Sequence, residues 1–211
     1  MLKKMILAGC FAAAMVSGMT MAAQQTYVVG SGGTYRPFEF ENSQKQLEGF
    51  DIDIIKAIAK AENFDIKLVN TPWEGIFATL SSGDRDIIIS GITITDKRQK
   101  MVDFSTPYFP AEQSIVVPSG SKVDSVNALK GQKVGVVNSS TGDIVVSDVL
   151  GKNSTDIKRF DNTPLMLQEL YEDGLGAAVG DVGVVKYYIK NHPEKAFKLV
   201  PDSKFERQYF G

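Results

Sequence analysis

From Tyr27 onward, short apolar runs alternate with amphipathic stretches. Tyr27-Val28-Val29 and Ile66-Lys67-Leu68-Val69 predict strands, and Asp86-Ile87-Ile88-Ile89 predicts a buried parallel one. Residues 50–61 predict a helix with Ile52, Ile55, Ile58 and Ala59 on one face, and residues 73–80 a second helix. Ser114-Ile115-Val116-Val117-Pro118 predicts one extended crossing, ended by turn chemistry at Ser119-Gly120-Ser121. The alternation then restarts, with strands at 133–137, 157–160 and 177–179. Its helices run from about Thr141, over 163–171 and up to Asn191. Such alternation predicts a parallel sheet with helices on both faces, and the restart predicts two α/β units. The two halves show no sequence repeat.

The N-terminus has a different pattern. Lys3 and Lys4 precede an apolar run over residues 5–16, and Thr20-Met21-Ala22-Ala23 supplies small residues for cleavage. Residues 1–23 are therefore expected to be a signal peptide, cut after Ala22 or Ala23, its apolar run too short and too badly flanked to span a membrane. Leu7-Ala8-Gly9-Cys10 has the form of a lipidation site, but too few apolar residues precede Cys10 for a hydrophobic region. A secreted, soluble, periplasmic protein is expected.

Cys10 is the sole cysteine of the 211 residues, so the mature chain has no disulfide, zinc cluster or thiol nucleophile. Its core must hold it together unaided. Without the two leader lysines, 21 basic residues face 25 acidic ones. No basic run suggests nucleic acid or anionic lipid as a partner.

The candidate chemistry gathers at Ser90-Gly91-Ile92-Thr93-Ile94-Thr95-Asp96-Lys97-Arg98. A buried strand leads into this loop, and Thr95 is a good cap for a helix carrying Arg98 in its first turn. Backbone N–H groups, hydroxyls and a guanidinium at one point suit a carboxylate. Alternatively, Arg98 is a surface residue pairing with Asp96 or Asp103. Three further strand ends stand out. Ser31-Gly32-Gly33-Thr34-Tyr35 allows close backbone approach and ends in an aromatic, which serves either as a wall or as rim packing. Asn138-Ser139-Ser140-Thr141-Gly142 opens a helix that Thr141 can cap with or without a ligand, and Asp181 can cap the helix that follows it. Trp73, the only tryptophan, follows Pro72 at another strand–helix junction, where core packing is the alternative.

The run from Ser90 to Arg98, the following Asp103-Phe104-Ser105, and the upstream Tyr35-Arg36-Pro37-Phe38-Glu39-Phe40 and Gly49-Phe50-Asp51-Ile52-Asp53 carry a resemblance. From about Tyr27 to its last residue the chain resembles the polar amino-acid-binding proteins of bacterial ABC importers, solute-binding protein family 3. It is most similar to the glutamine and basic amino-acid members. The resemblance implies a two-lobed, type II periplasmic-binding-protein fold, each lobe a parallel-sheet α/β unit with the ligand in the cleft between them. Residues 24–113 would form part of lobe one, 114–207 lobe two, and 208–211 the start of the return hinge. Ser114 to Val117 would be the other hinge strand. The implied function is capture of a polar L-amino acid, with glutamine or arginine favoured, for delivery to a membrane permease. The protein is expected to be a monomer with no cofactor and no metal. Tyr35 and Trp73 would sandwich the ligand side chain. Arg98 and the Thr141-Gly142 pair would hold its carboxylate, and Asp181 its ammonium, with help from acceptors at Ser90, Gly91 and Thr93. Several relatives have Asp where this chain has Gly32, so one partner for a cationic head group is absent. Relatives also continue beyond the position of Gly211 to complete lobe one, so exposed apolar surface is expected there.

Other candidates are weaker. His192, the only histidine, cannot by itself build a Ser–His–Asp set or a two-histidine metal site. The glycines lack the Gly-Lys-Ser/Thr ending of a phosphate loop. Asp51 and Asp53 are expected to be first-turn helix residues rather than ligand contacts. The alternative function is a secreted cyclohexadienyl (prephenate or arogenate) dehydratase-like enzyme on a similar fold. It needs a general acid that nothing in the sequence marks.

Overall fold

β1 (Thr26–Ser31) runs from an exposed first residue to a buried Val29-Gly30-Ser31, so its carboxyl end lies deepest. A small antiparallel sheet follows, made of β2 (Thr34–Tyr35), β3 (Glu39–Glu41) and β4 (Leu47–Glu48). Then come α1 (Phe50–Ala61), β5 (Asp65–Asn70), α2 (Ile76–Ser81), β6 (Ile87–Ile88) and α3 (Asp96–Gln99). β1 is the middle strand of a parallel sheet in the order β5-β1-β6. This computed structural model describes residues 24–211; the expected signal peptide and Cys10 lie outside them.

α1 buries Ile52, Ile55 and Ala59, and Val29, Ile55 and Ile89 form the core beneath it. Ile58, expected on the same face, is 43% exposed. At about 100° per residue it lies roughly 120° round the helix from Ile52, off the buried stripe. The helix expected over 73–80 begins only at Ile76. Gly75, at its N-cap, holds φ +81, a left-handed conformation that interrupts any helix begun earlier and leaves Trp73 in the preceding turn.

The chain passes through β7 (Phe109–Ala111) into β8 (Gln113–Pro118). After a 3₁₀ turn at Val126–Leu129 come β9 (Val134–Val137), α4 (Thr141–Leu150), β10 (Ile157–Phe160), α5 (Thr163–Tyr171), β11 (Ala177–Asp181), α6 (Val182–Asn191), β12 (Phe197–Val200) and β13 (Gln208–Phe210). The second lobe's sheet has the order β10-β9-β11-β8-β12. It is mixed rather than wholly parallel, because β8 runs antiparallel to both β11 and β12. β8 enters directly from the other lobe, with no helical crossover to reverse its direction.

One expected hinge moves. Residues 114–117 are buried within the second lobe's sheet, with Ile115 and Val116 paired on both sides by β11 and β12, and so do not form a free crossing. The paired crossing strands are instead β7 and β13. Around them Phe38, Ala111, Val184 and Phe210 form a buried cluster shared by both lobes. β13 also fastens the loop after β6: Ile94 donates to the Tyr209 carbonyl at 2.8 Å, and Gly211 to the Ile92 carbonyl at 3.1 Å.

Candidate functional site

The carboxyl ends of the parallel strands converge on one cleft of about 350 Å³ between the lobes. The end of β1 brings Gly32, β2 brings Tyr35, the end of β5 brings Trp73, and the end of β6 brings Ser90, Gly91 and Thr93. From the second lobe, β9 brings Ser140 and Thr141, β10 brings Asn162, and β11 brings Asp181. This follows from the winding: in an open α/β sheet only the carboxyl-end loops face the crevice. The volume suits a single small molecule.

Arg98 is 7% exposed. Thr95 caps its helix, accepting from the Arg98 amide at 3.2 Å as expected. α3 is a single turn, so its dipole adds little and the guanidinium carries the anion affinity. That group donates to the Thr93 carbonyl at 2.9 Å and, across the cleft, approaches the Ser139 carbonyl at 3.5 Å. Its carbon lies 5.2 Å from the centre of the Trp73 ring. The ion pairs among the described residues involve other side chains, so neither Asp96 nor Asp103 takes the guanidinium. Lost hydration lowers its pKa to about 10, opposed by the nearby Asp181, and it stays charged at neutral pH.

Asp181 faces Arg98 from the other lobe. It occupies the N-cap position of α6 but makes no capping bond. Its Oδ2 instead accepts from the Tyr35 hydroxyl and its Oδ1 from Gln113 Nε2 at 2.6 Å. Lost hydration pushes its carboxyl up to about 6, while the Tyr35 and Gln113 bonds and Arg98 pull the other way. A carboxylate turned away from its own helix and held by two neutral donors is available to a cation.

The cap of α4 is Ser140, not Thr141: the Ser140 hydroxyl accepts from the Asp143 amide at 3.1 Å. Thr141 is thereby left lining the cleft. Gly142 lies behind that lining, where an added Cβ would stand 3.1 Å from both Gln113 Oε1 and Val179 Cγ1. Trp73 binds the second lobe through its indole N–H, which donates to the Asn138 carbonyl at 2.9 Å. Gly91 holds φ +52, and a Cβ there would fall 2.8 Å from Tyr35 Cε1. Gly91→Ala is accordingly expected to cost about 1–3 kcal/mol of stability, visible in the denaturation midpoint.

Sequence reasoning missed three polar residues. Gln113 supports Asp181, whereas Glu39, on the cleft lining but almost wholly buried, and Asp51 behind it back the Ser90–Gly91 edge. Asp51 does sit in the first turn of α1, but its Oδ2 accepts from the Gly91 amide at 2.7 Å. The Phe-Glu-Phe and Phe-Asp-Ile-Asp settings, acids flanked by apolar residues, were the available signal.

The fold and cleft define a two-lobed α/β protein with a charged, ligand-sized site at the lobe junction. The chain belongs to the bacterial extracellular solute-binding proteins, family 3, whose model matches residues 27–194. A probable histidine-binding protein of Neisseria gonorrhoeae is 44% identical over 188 residues, 89% of this chain and 70% of that one. The arginine-, lysine-, histidine-binding protein ArtJ of Geobacillus stearothermophilus superposes with a TM-score of 0.84 at 38% identity, covering 89% of this chain and 80% of the other. An ancestral arginine-binding protein bound to arginine gives 0.82 at 39%, covering 89% and 83%.

Proposed function

We propose that the cleft captures one L-α-amino acid with a basic side chain, arginine or, in its protonated form, histidine, for delivery to the permease of an ABC importer. The observation that carries this reading is the opposition of Arg98 and Asp181 across the cleft, each in contact with groups of the other lobe. A guanidinium takes the α-carboxylate, with Thr141 beside it, and a carboxylate takes the α-ammonium. Tyr35 and Trp73 flank the remainder, and Ser90, Gly91 and Thr93 offer further polar contacts. With the α-groups matched, Glu74 and Asp161 remain on the exposed lining as uncompensated acids, which favours a cationic side chain over the neutral glutamine. The relatives named for histidine and arginine support the same choice. The reading is of a monomeric periplasmic binding protein, not an enzyme.

Calorimetry against a panel of amino acids, sugars and dicarboxylates tests it. L-arginine or L-histidine is expected to bind, with glutamine weaker and glutamate weaker still. Binding of a sugar or a dicarboxylate, with no amino acid bound, would overturn the reading. Incubation with prephenate and arogenate is expected to leave both unchanged.

Trp73 separates wall from latch. Trp73→Phe keeps an aromatic face but loses the indole bond to Asn138, so affinity should fall only about fivefold, for about 1 kcal/mol. Trp73→Ala removes the face as well and should fall further. Equal losses would mean that the ring contributes nothing beyond its N–H.

A further inference from the structure

At the floor of the cleft, two carboxyls are buried together with no cation among the ion pairs of the described residues. Glu39 on β3 is 1% exposed and Asp51 on α1 is fully buried. Neither forms an ion pair among those of the described residues. Each uses one oxygen on the loop in front of it. Glu39 Oε1 accepts from the Ser90 hydroxyl at 2.7 Å, and Ser90 in turn accepts from the Gly32 amide at 3.1 Å. Asp51 Oδ2 accepts from the Gly91 amide at 2.7 Å. The other oxygens, Glu39 Oε2 and Asp51 Oδ1, are buried and have no hydrogen-bond partner among the described residues, and Asp51 is near enough to push the Glu39 carboxyl up. Carboxylate oxygens only accept, so these two can bond each other only through a proton.

We propose that Glu39 and Asp51 hold a single proton between them in the folded protein and act as positioning residues for the Ser90–Gly91 edge of the cleft. With the proton in place, one oxygen of each acid is free to hold the loop while the other two bind each other. Without it, two carboxylates would meet in a dry site, and one would have to pull away from Ser90 or Gly91. The groups facing the pair fit this arrangement. Tyr108, before β7, faces Asp51 with a buried hydroxyl that can donate to it. Tyr35 on β2 and Asp181 at the end of β11 lie further off, and Asp181 adds negative charge that favours keeping the proton. Arg98, the basic group of the cleft, acts mainly with Asp181 and Tyr35. Burial first, and Asp51 second, hold the Glu39 carboxyl well above the usual carboxylate range.

The consequence does not depend on which molecule the cleft takes, and it is read on the ligand-free protein. A carboxyl raised in the fold adds stability that is fully present below its unfolded pKa and lost as pH rises through the folded one. Glu39→Gln keeps a donor toward Asp51 and an acceptor for Ser90 but has no proton to lose. Between about pH 5 and about pH 8 the melting temperature of the parent should fall by several degrees more than that of Glu39→Gln. Asp181 contributes the same slope to both proteins and cancels. Parallel curves would overturn the proposal. If the variant fails to fold, glutamate-selective ¹³C labelling of the parent decides. One glutamate carboxyl that stays protonated after all the others have titrated supports the shared proton, and titration of all of them together in the ordinary range refutes it.

Discussion

Arg98→Ala is expected to abolish useful binding, lowering affinity by roughly two to nearly four orders of magnitude, about 3–5 kcal/mol. The size follows from burial. The guanidinium is already stripped of water and held by the Thr93 carbonyl, so it meets a ligand carboxylate without further cost. Alanine would leave that carboxylate desolvated and unpaired. Lysine is no substitute, because one ammonium cannot bond Thr93 and the ligand in the same planar fork. Two nearby cations serve as controls: Arg36, exposed and stacked 3.5 Å over Phe40, and Lys97, exposed on the helix of Arg98. Alanine at either should change affinity by no more than about 1 kcal/mol. Calorimetry with arginine and histidine reads all three. A tenfold loss or less for Arg98→Ala would reduce Arg98 to a loop-bracing residue.

Asp181→Asn should weaken binding by about 2–5 kcal/mol and also change its pH dependence. In the free protein this carboxyl sits at about 6, and a ligand ammonium binds only its ionised form. Parent affinity should therefore be level above about pH 6 and fall toward tenfold per unit below it, because a proton must then leave before the ammonium enters. The asparagine variant should be weaker throughout and lack this acid limb. The same variant should be more open at saturating ligand, because Tyr35 and Gln113 lose a charged acceptor and the second lobe loses its hold on the ammonium. Small-angle scattering reads this as a larger radius of gyration than that of the saturated parent. A parent whose affinity holds level well below pH 6 would mean that Asp181 does not meet the ammonium.

Much of the fold could be read from periodicity. Elements that bury one face repeat at 3.6 or 2 residues, and α1, α5, β9 and β10 lie close to where that pattern puts them. The short pieces could not be read. β2, β3 and β4 are two or three residues each, and β7 and β13 form only by pairing across about 100 positions of chain. The hinge was misplaced for the same reason. Ile115-Val116-Val117 reads as extended whether it crosses between lobes or lies within a sheet, and only the partners β11 and β12 decide which.

The site divides along the same line. The sequence by itself determined which strand ends line the cleft, because loops rich in Gly, Ser and Thr between an apolar run and a helix are a local signal. Arg98, Thr141, Asp181, Tyr35 and Trp73 all lie in such places. Tertiary structure decided what each does. It turned Asp181 off its own helix toward Tyr35, gave the cap of α4 to Ser140, moved Gly142 behind the lining, and set Glu39 and Asp51 against each other. A capping residue needs only its neighbours in the chain, whereas a buried charge is defined by its partners. Those partners lie 146 positions apart for Tyr35 and Asp181, and 40 for Gly91 and Asp51, so only folding brings them together.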